Sequence, residues 1–244
     1  MAYALRFDGS DRLAFTEQNN KLYADRTESD VRAYVRNLDG PNRGPIYLIT
    51  NDSTAFNDYI RIGSDADGGS TTRFRVDRHY AEWPYQMPTD GLFHEVRFVR
   101  TGAFEFRLYV DGEDLGPPDT VSGNGQQLLN NAARNQIGGY NSSSEYRSSF
   151  DFGWFEYRET VDGPVVNRID ASQSGGNGSQ LGSSVGNLTF DLIGPDWPTD
   201  DSQWVYYEDA AEPENPTGVY ALDMSKGSYI NLDGVFRIAK GTFG

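Results

Sequence analysis

Glu156 and Glu159, with His79 and His94, are the residues whose chemistry first invites a catalytic reading. Retaining glycoside hydrolysis needs an acid and a nucleophile about 5 Å apart on one surface. On a strand this means carboxylates two or four residues apart, because successive side chains point to opposite faces. Neither Glu-x-Asp-x-Glu nor Glu-x-Asp-x-x-Glu occurs. The odd spacing of Glu156 and Glu159 puts them on opposite faces, as solvent-facing charge at a strand end. His94 opens the strand-like run to Arg100, and the sequence shows no partner for His79. The chain has no cysteine, which removes disulfides, thiolate metal sites and cysteine nucleophiles. The expectation is a protein that is not an enzyme.

Binding is better provided for. Tyr80-Ala81-Glu82-Trp83-Pro84-Tyr85-Gln86 is aromatic, contains a proline and lacks the period of a strand. Aromatic side chains on a loop either stack on a ligand or cover a core edge. Tyr80, Trp83 and Tyr85 are therefore the candidate glycan-binding residues. Asp65 and Asp67, in Ser64-Asp65-Ala66-Asp67-Gly68-Gly69, fall far short of an EF-hand loop and are assigned to a hairpin turn.

The elements that must position these residues have period two. Val31-Arg32-Ala33-Tyr34-Val35-Arg36, Tyr59-Ile60-Arg61-Ile62 and Arg73-Phe74-Arg75-Val76-Asp77 alternate apolar and polar residues. Phe104, Phe106, Leu108 and Val110 do the same, as expected of half-buried antiparallel strands. Asp39-Gly40-Pro41, Asp67-Gly68-Gly69, Asp90-Gly91 and Asp111-Gly112 supply turns between them. Trp154 alternates with Phe150 and Phe152 and is placed in the core. No helical period persists over ten residues. The predicted class is all-β, with two packed antiparallel sheets.

Three further segments complete the organisation. Ser172 to Gly186 is rich in Gly, Ser and Asn and is read as a loop. Leu188–Ile193 and Trp204–Tyr207 are read as closing strands. One domain is expected over residues 1–208, followed by an acidic, proline-containing linker over 209–218. Residues 219–244 then form a strand segment, in which Tyr220-Ala221-Leu222-Asp223-Met224 matches Tyr3-Ala4-Leu5-Arg6-Phe7. This is either the opening of a second repeat or an unrelated strand of similar pattern. Its apolar residues are expected to pack on this domain or on a neighbouring subunit.

A formal net charge of −15 argues against a nucleic-acid partner, which would need basic residues in place of phosphate counterions. It argues equally against docking on an anionic membrane. No stretch approaches the ~20 apolar residues of a membrane span. The N-terminal Met1-Ala2-Tyr3-Ala4-Leu5-Arg6-Phe7-Asp8 has neither the basic start nor the apolar core of a signal peptide, so assembly in the cytoplasm is expected.

Taken in order, several segments resemble the laminin-G-like, concanavalin-A-like jelly rolls. Ala4-Leu5-Arg6-Phe7-Asp8-Gly9 is similar to that family's first strand and turn, and Val31 to Val35 to an early core strand. Gly91-Leu92-Phe93-His94-Glu95-Val96-Arg97-Phe98 resembles the central strand. Phe106-Arg107-Leu108-Tyr109-Val110-Asp111-Gly112, Gln136-Ile137-Gly138-Gly139-Tyr140 and Phe150-Asp151-Phe152-Gly153-Trp154-Phe155-Glu156-Tyr157 resemble the elements that follow. The resemblance covers about residues 3 to 207 and implies a two-sheet antiparallel jelly-roll sandwich. It also implies calcium on rim loops. Ca²⁺ takes about six to eight oxygen ligands. Asn57 and Asp58, with Asn141 and Glu145 on the facing loop, are the candidate ligands, although the acidic run of pentraxin-like relatives is absent.

Residues 167–207 are similar to the tails of such domains in bacteriophage and bacterial surface proteins. This likeness implies a non-enzymatic structural or binding module of a virion, as a tail, fibre or capsid-surface component that contacts host glycans. Its expected partners are other virion or array subunits, including copies of itself. The alternative is an extracellular, calcium-dependent glycan-binding domain of a bacterial adhesin. A glycan-cleaving enzyme is a further alternative, disfavoured by the missing carboxylate pair.

Overall fold

Alternating apolar and polar positions build an all-β sandwich of two antiparallel sheets in the computed structural model. It describes residues 2–9, 13–16, 27–38, 47–50, 58–62, 71–76, 79–123, 135–138, 149–194 and 203–207. The chain divides into two units, 1–207 and 208–244. The second unit, with the expected linker and strand segment, lies outside the described residues.

The first sheet contains β1 (Ala2–Asp8), β3 (Ser29–Asn37), β8 (His94–Arg100), β9 (Phe106–Val110), β10 (Glu113–Asp114), β13 (Ser149–Arg158), β14 (Val165–Asp170) and β17 (Trp204–Tyr207). Across it the order runs β10-β9-β8-β3-β13. The far edge of β13 is shared: β1 pairs with residues 149–152 and β14 with residues 154–158. β17 extends the sheet beyond β1.

The second sheet contains β2 (Leu13–Thr16), β4 (Tyr47–Thr50), β5 (Asp58–Ile62), β6 (Thr72–Val76), β7 (His79–Trp83), β11 (Thr120–Ser122), β12 (Asn135–Ile137) and β16 (Thr189–Ile193). Its order is β11-β7-β6-β5-β4-β12-β2-β16. One strand, β15 (Gln180–Val185), belongs to both sheets. Gln180 to Gly182 pair with β16, while Ser183 and Val185 pair with β14.

That strand corrects the reading of Ser172 to Gly186 as a loop. A 3₁₀ turn occupies Ala171–Ser174, and Asp170 caps it by accepting from the Ser172 N–H at 3.0 Å. The strand follows after five residues. Weak strand propensity is overridden because the backbone N–H and C=O groups find ladder partners, in β16 for the first half and in β14 for the second.

The core lies between the sheets. Phe74 of β6 meets Phe98 of β8 at 5.4 Å between ring centroids and Phe106 of β9 at 6.3 Å. Val31, Val35, Val96, Phe98, Phe106, Leu108 and Phe152 are buried, as their alternation predicts. The side chains of Ile60 and Ile62 lie outside the described residues. Phe104 is the exception in its run. It precedes β9 and is 54% exposed.

Trp154 is also corrected, by a bulge. Along β3, Val35 faces Phe152 and the next residue, Tyr34, faces Trp154. Gly153 is the extra residue, and it inverts the parity of everything after it. Phe150 and Phe152 point into the core before it, and Phe155 and Tyr157 after it, so Trp154 turns outward.

Gly138, directly after β12, has φ +95°, and a Cβ there would lie 2.2 Å from Cδ1 of Phe7. The Phe7 ring is stacked on Phe150 at 4.9 Å and has no room to withdraw. Gly138→Ala should therefore destabilise the fold by roughly 2–3 kcal/mol, from backbone strain and overpacking together. Chemical denaturation measures this as a lowered midpoint at unchanged slope.

Candidate functional site

The outward positions of β3, β8 and β13 are filled largely by arginine, carboxylates and aromatic rings. Three carboxylates each sit between two guanidiniums. Asp30, fully buried, accepts from Arg32 (Nε–Oδ1 3.1 Å, Nη2–Oδ2 2.8 Å) and from Arg97 (3.0 and 2.8 Å). Both arginines reach on to Asp162 in the loop between β13 and β14, at 2.7 and 2.8 Å. The Asp162 N–H donates to Asp30 at 3.1 Å, with Asp162 at φ +54°. Burial works against the charge on Asp30, but the hydrogen bonds from Arg32 and Arg97 outweigh it and hold the carboxyl below its usual range.

Asp151 repeats the pattern with Arg6 (2.8 and 3.0 Å) and Arg36. Glu156 lies between Arg158 at 2.7 Å and Arg168 at 2.9 Å. It is only 4% exposed, which corrects its expected place as solvent-facing charge. The guanidiniums of its neighbours roof it over. Arginine suits these positions because its planar fork matches two carboxylate oxygens at once.

Aromatic rings line the same face. Tyr34 stands between Phe93 at 5.1 Å and Trp154 at 5.8 Å, and Phe93 stacks on Tyr207 at 4.3 Å. Arg36 lies over Phe93 and Arg168 over Trp154, each 4.8 Å from the ring centroid. These cation–π contacts tie the arginine clamps to the rings.

Glu95 differs from the other carboxylates. It pairs with Tyr34 across β3 and is two residues from Arg97. Burial raises its pKa. Arg32 and Arg97 oppose that shift, and Glu156 and Asp30 add to it. Among the described residues its carboxyl receives no hydrogen bond. Among the described residues the nearby Arg32 and Arg97 donate through Nε and Nη2. The face therefore holds, among the described residues, an acceptor without a hydrogen bond beside two arginines, with the ring of Tyr34 directly across from it.

The candidate glycan residues of the sequence lie elsewhere, and the first four residues of their stretch are strand, with a loop only from Pro84 on. Tyr80 to Trp83 belong to β7, paired with β6 and β11. Trp83 is 1% exposed, packs on Phe98 at 5.9 Å and donates its indole N–H to the Gly116 carbonyl at 3.0 Å. Its ring is part of the core and offers no platform. Tyr80 lies under the Arg73 guanidinium at 4.5 Å, on the opposite face of the strand. Tyr85 is half-buried beyond Pro84, with its hydroxyl pKa raised by burial and by Asp111, Glu113 and Asp90. The three side chains form no common surface.

Of the candidate calcium ligands, Asp58 is described by its backbone alone, as the first residue of β5. Asn57, Asn141 and Glu145 lie outside the described residues. Among the described residues no group of three His, Asp or Glu side chains could hold a metal ion.

No protein-family model matches the chain, and no curated protein matches it. A signal for the outer face was present in the sequence. The polar half of the alternation in Val31-Arg32-Ala33-Tyr34-Val35-Arg36 and Glu95-Val96-Arg97 is arginine, tyrosine and glutamate. An ordinary solvated sheet face would carry Lys, Thr and Ser.

Proposed function

We propose that this protein is a non-enzymatic binding module that contacts neutral glycans through the outer face of its first sheet. The observation that carries the reading is Glu95, whose carboxyl receives no hydrogen bond among the described residues, next to Arg97 on β8 and diagonal to Arg32 on β3. Sugar hydroxyls both donate and accept, and a small number of placed polar groups beside aromatic rings is how a binding site fixes their orientation. The charge of −15 and the unneutralised Glu95 favour a neutral glycan over an acidic one. The resemblance of residues 167–207 to tails of such domains in bacteriophage and bacterial surface proteins supports a setting on a virion, among subunits of a tail, fibre or capsid surface.

A panel of neutral and acidic oligosaccharides tests this by calorimetry. Saturable binding to a neutral member is expected, and Glu95→Ala should weaken it tenfold or more, about 1.4 kcal/mol. Glu95→Gln should keep the fold and melt higher than wild type at neutral pH. The sign follows from linkage: a carboxyl raised by burial contributes stability while protonated, and that contribution is lost as pH rises through its folded-state pKa. No binding across the panel, or wild-type affinity in Glu95→Ala, overturns the proposal.

A further inference from the structure

His94 stands at the start of β8 with a carboxylate on each ring nitrogen. Nδ1 lies 2.6 Å from Oδ2 of Asp111, and Nε2 lies 3.1 Å from Oδ1 of Asp90. A neutral imidazole has one N–H and can satisfy one of these acceptors. The imidazolium has two and satisfies both.

The two carboxylates are anchored differently. Asp111 and Gly112 form a two-residue turn between β9 and β10, with φ +50° and +81°, the conformation a tight hairpin requires. Asp111 is further locked to β8. Its Oδ1 accepts the Glu95 N–H, and its own N–H donates to the Glu95 carbonyl, both at 2.9 Å. Asp90, by contrast, sits on the exposed stretch 89–92, beyond the buried Met87, and its carboxylate also accepts the Leu92 N–H at 2.9 Å.

We propose that Asp90, His94 and Asp111 form a proton-operated clasp that holds the segment 89–93 against the outer face of the first sheet and releases it when His94 loses one proton. Loss of the proton leaves the shorter bond to Asp111 in place. The Nε2 lone pair then faces the Asp90 carboxylate, and acceptor meets acceptor. The anchored partner stays and the loop partner moves away.

Phe93 carries the consequence. It belongs to this segment, and it stacks on Tyr34 and Tyr207 beneath Arg36. Release of the segment loosens that stack beside Glu95. This last step rests on the reading of the face as a glycan site, whereas the clasp itself does not.

The surroundings favour the charged form. Besides Asp90 and Asp111, the carboxylate of Glu113 and the hydroxyl of Tyr85 share this rim, and Arg36 is the cation on the neighbouring strand. Burial disfavours the imidazolium, but the bonds to Asp111 and Asp90 outweigh it and raise the pKa above 6.5. The sign is that of a raised histidine. The clasp contributes its full stability below the unfolded-state pKa and loses it as pH rises through the folded value.

The chain contains two histidines, so the ring protons of His94 are readily assigned by comparison with His94→Gln. Nuclear magnetic resonance should show His94 titrating above 6.5. Protection of the Leu92 and Phe93 amides, corrected for intrinsic exchange, should fall at the same midpoint. The fall should be about tenfold for each unit by which the clasped pKa exceeds the released one. Asp90→Asn, on an exposed segment, keeps the fold and should lower the His94 pKa and remove the step. Protection that stays flat through the His94 midpoint overturns the clasp, even in a protein that binds glycan. A clasp that opens at its midpoint in a protein binding no neutral oligosaccharide supports the clasp and overturns the glycan reading instead.

Discussion

A chain lacking Gly153 should show no cooperative melt. Deleting this residue removes the bulge in β13, so that one half of the strand must turn over relative to the other. Either Phe150 and Phe152 or Phe155 and Tyr157 would then leave the core, and all four are now at most 2% exposed. Exposing two such rings forfeits roughly 3–6 kcal/mol. The same rotation drives Asp151 or Glu156 inward, away from the paired arginines that hold them. A carboxylate stripped of its partners and buried costs several kcal/mol more. Whole domains of this kind have only about 5–15 kcal/mol of stability. Urea unfolding followed by tryptophan fluorescence reads the outcome. A sigmoidal transition near the wild-type midpoint would mean that the strand tolerates either register and that the bulge does not set its faces.

Phe106→Ala should cost roughly 3–5 kcal/mol, whereas Phe104→Ala should cost under about 1 kcal/mol. The two residues are neighbours in one alternating run, yet Phe106 is 4% exposed and Phe104 54%. Phe106 touches Phe74 on the opposite sheet and lies under the Arg100 guanidinium, 5.1 Å from the ring centroid. Its removal leaves a cavity between sheets that neither can close alone. The turn at residues 101–105 closes before β9 begins, with the Thr101 N–H donating to the Glu105 carbonyl at 3.0 Å, and Phe104 rides on that turn. Denaturation midpoints of the two variants, compared at equal slope, decide the matter. Equal losses would mean that the strand begins two residues earlier than its ladder shows.

The alternation of β3, β8 and β9 was legible because period two is a local property of an extended backbone. Val31, Val35, Val96, Phe98 and Leu108 face inward wherever those strands are placed. The hairpin at Asp111-Gly112 was legible for a similar reason, since its residue types meet the backbone demand directly. Trp83 was misplaced because its loop-like composition says nothing of the strands beside it. β6 and β11 pair with both edges of β7 and turn a stretch containing aromatic residues into a central strand.

The amino-acid sequence by itself determined that this chain forms antiparallel strands, which side chains of the regular strands point together, and that its net charge is −15. These follow from backbone periodicity, turn chemistry and summed charge, none of which depends on distant contacts. Tertiary structure alone decided that Trp154 turns outward, because the bulge exists only where β1 gives way to β14 along the edge of β13. It alone decided that Asp30 is buried between Arg32 and Arg97 under Asp162, since Arg97 and Asp162 are far from Asp30 in the chain and reach it only through strand pairing. The open carboxyl of Glu95 and the doubly faced imidazole of His94 have the same origin. A polar group's function depends on which partners reach it, and long-range pairing supplies or withholds them.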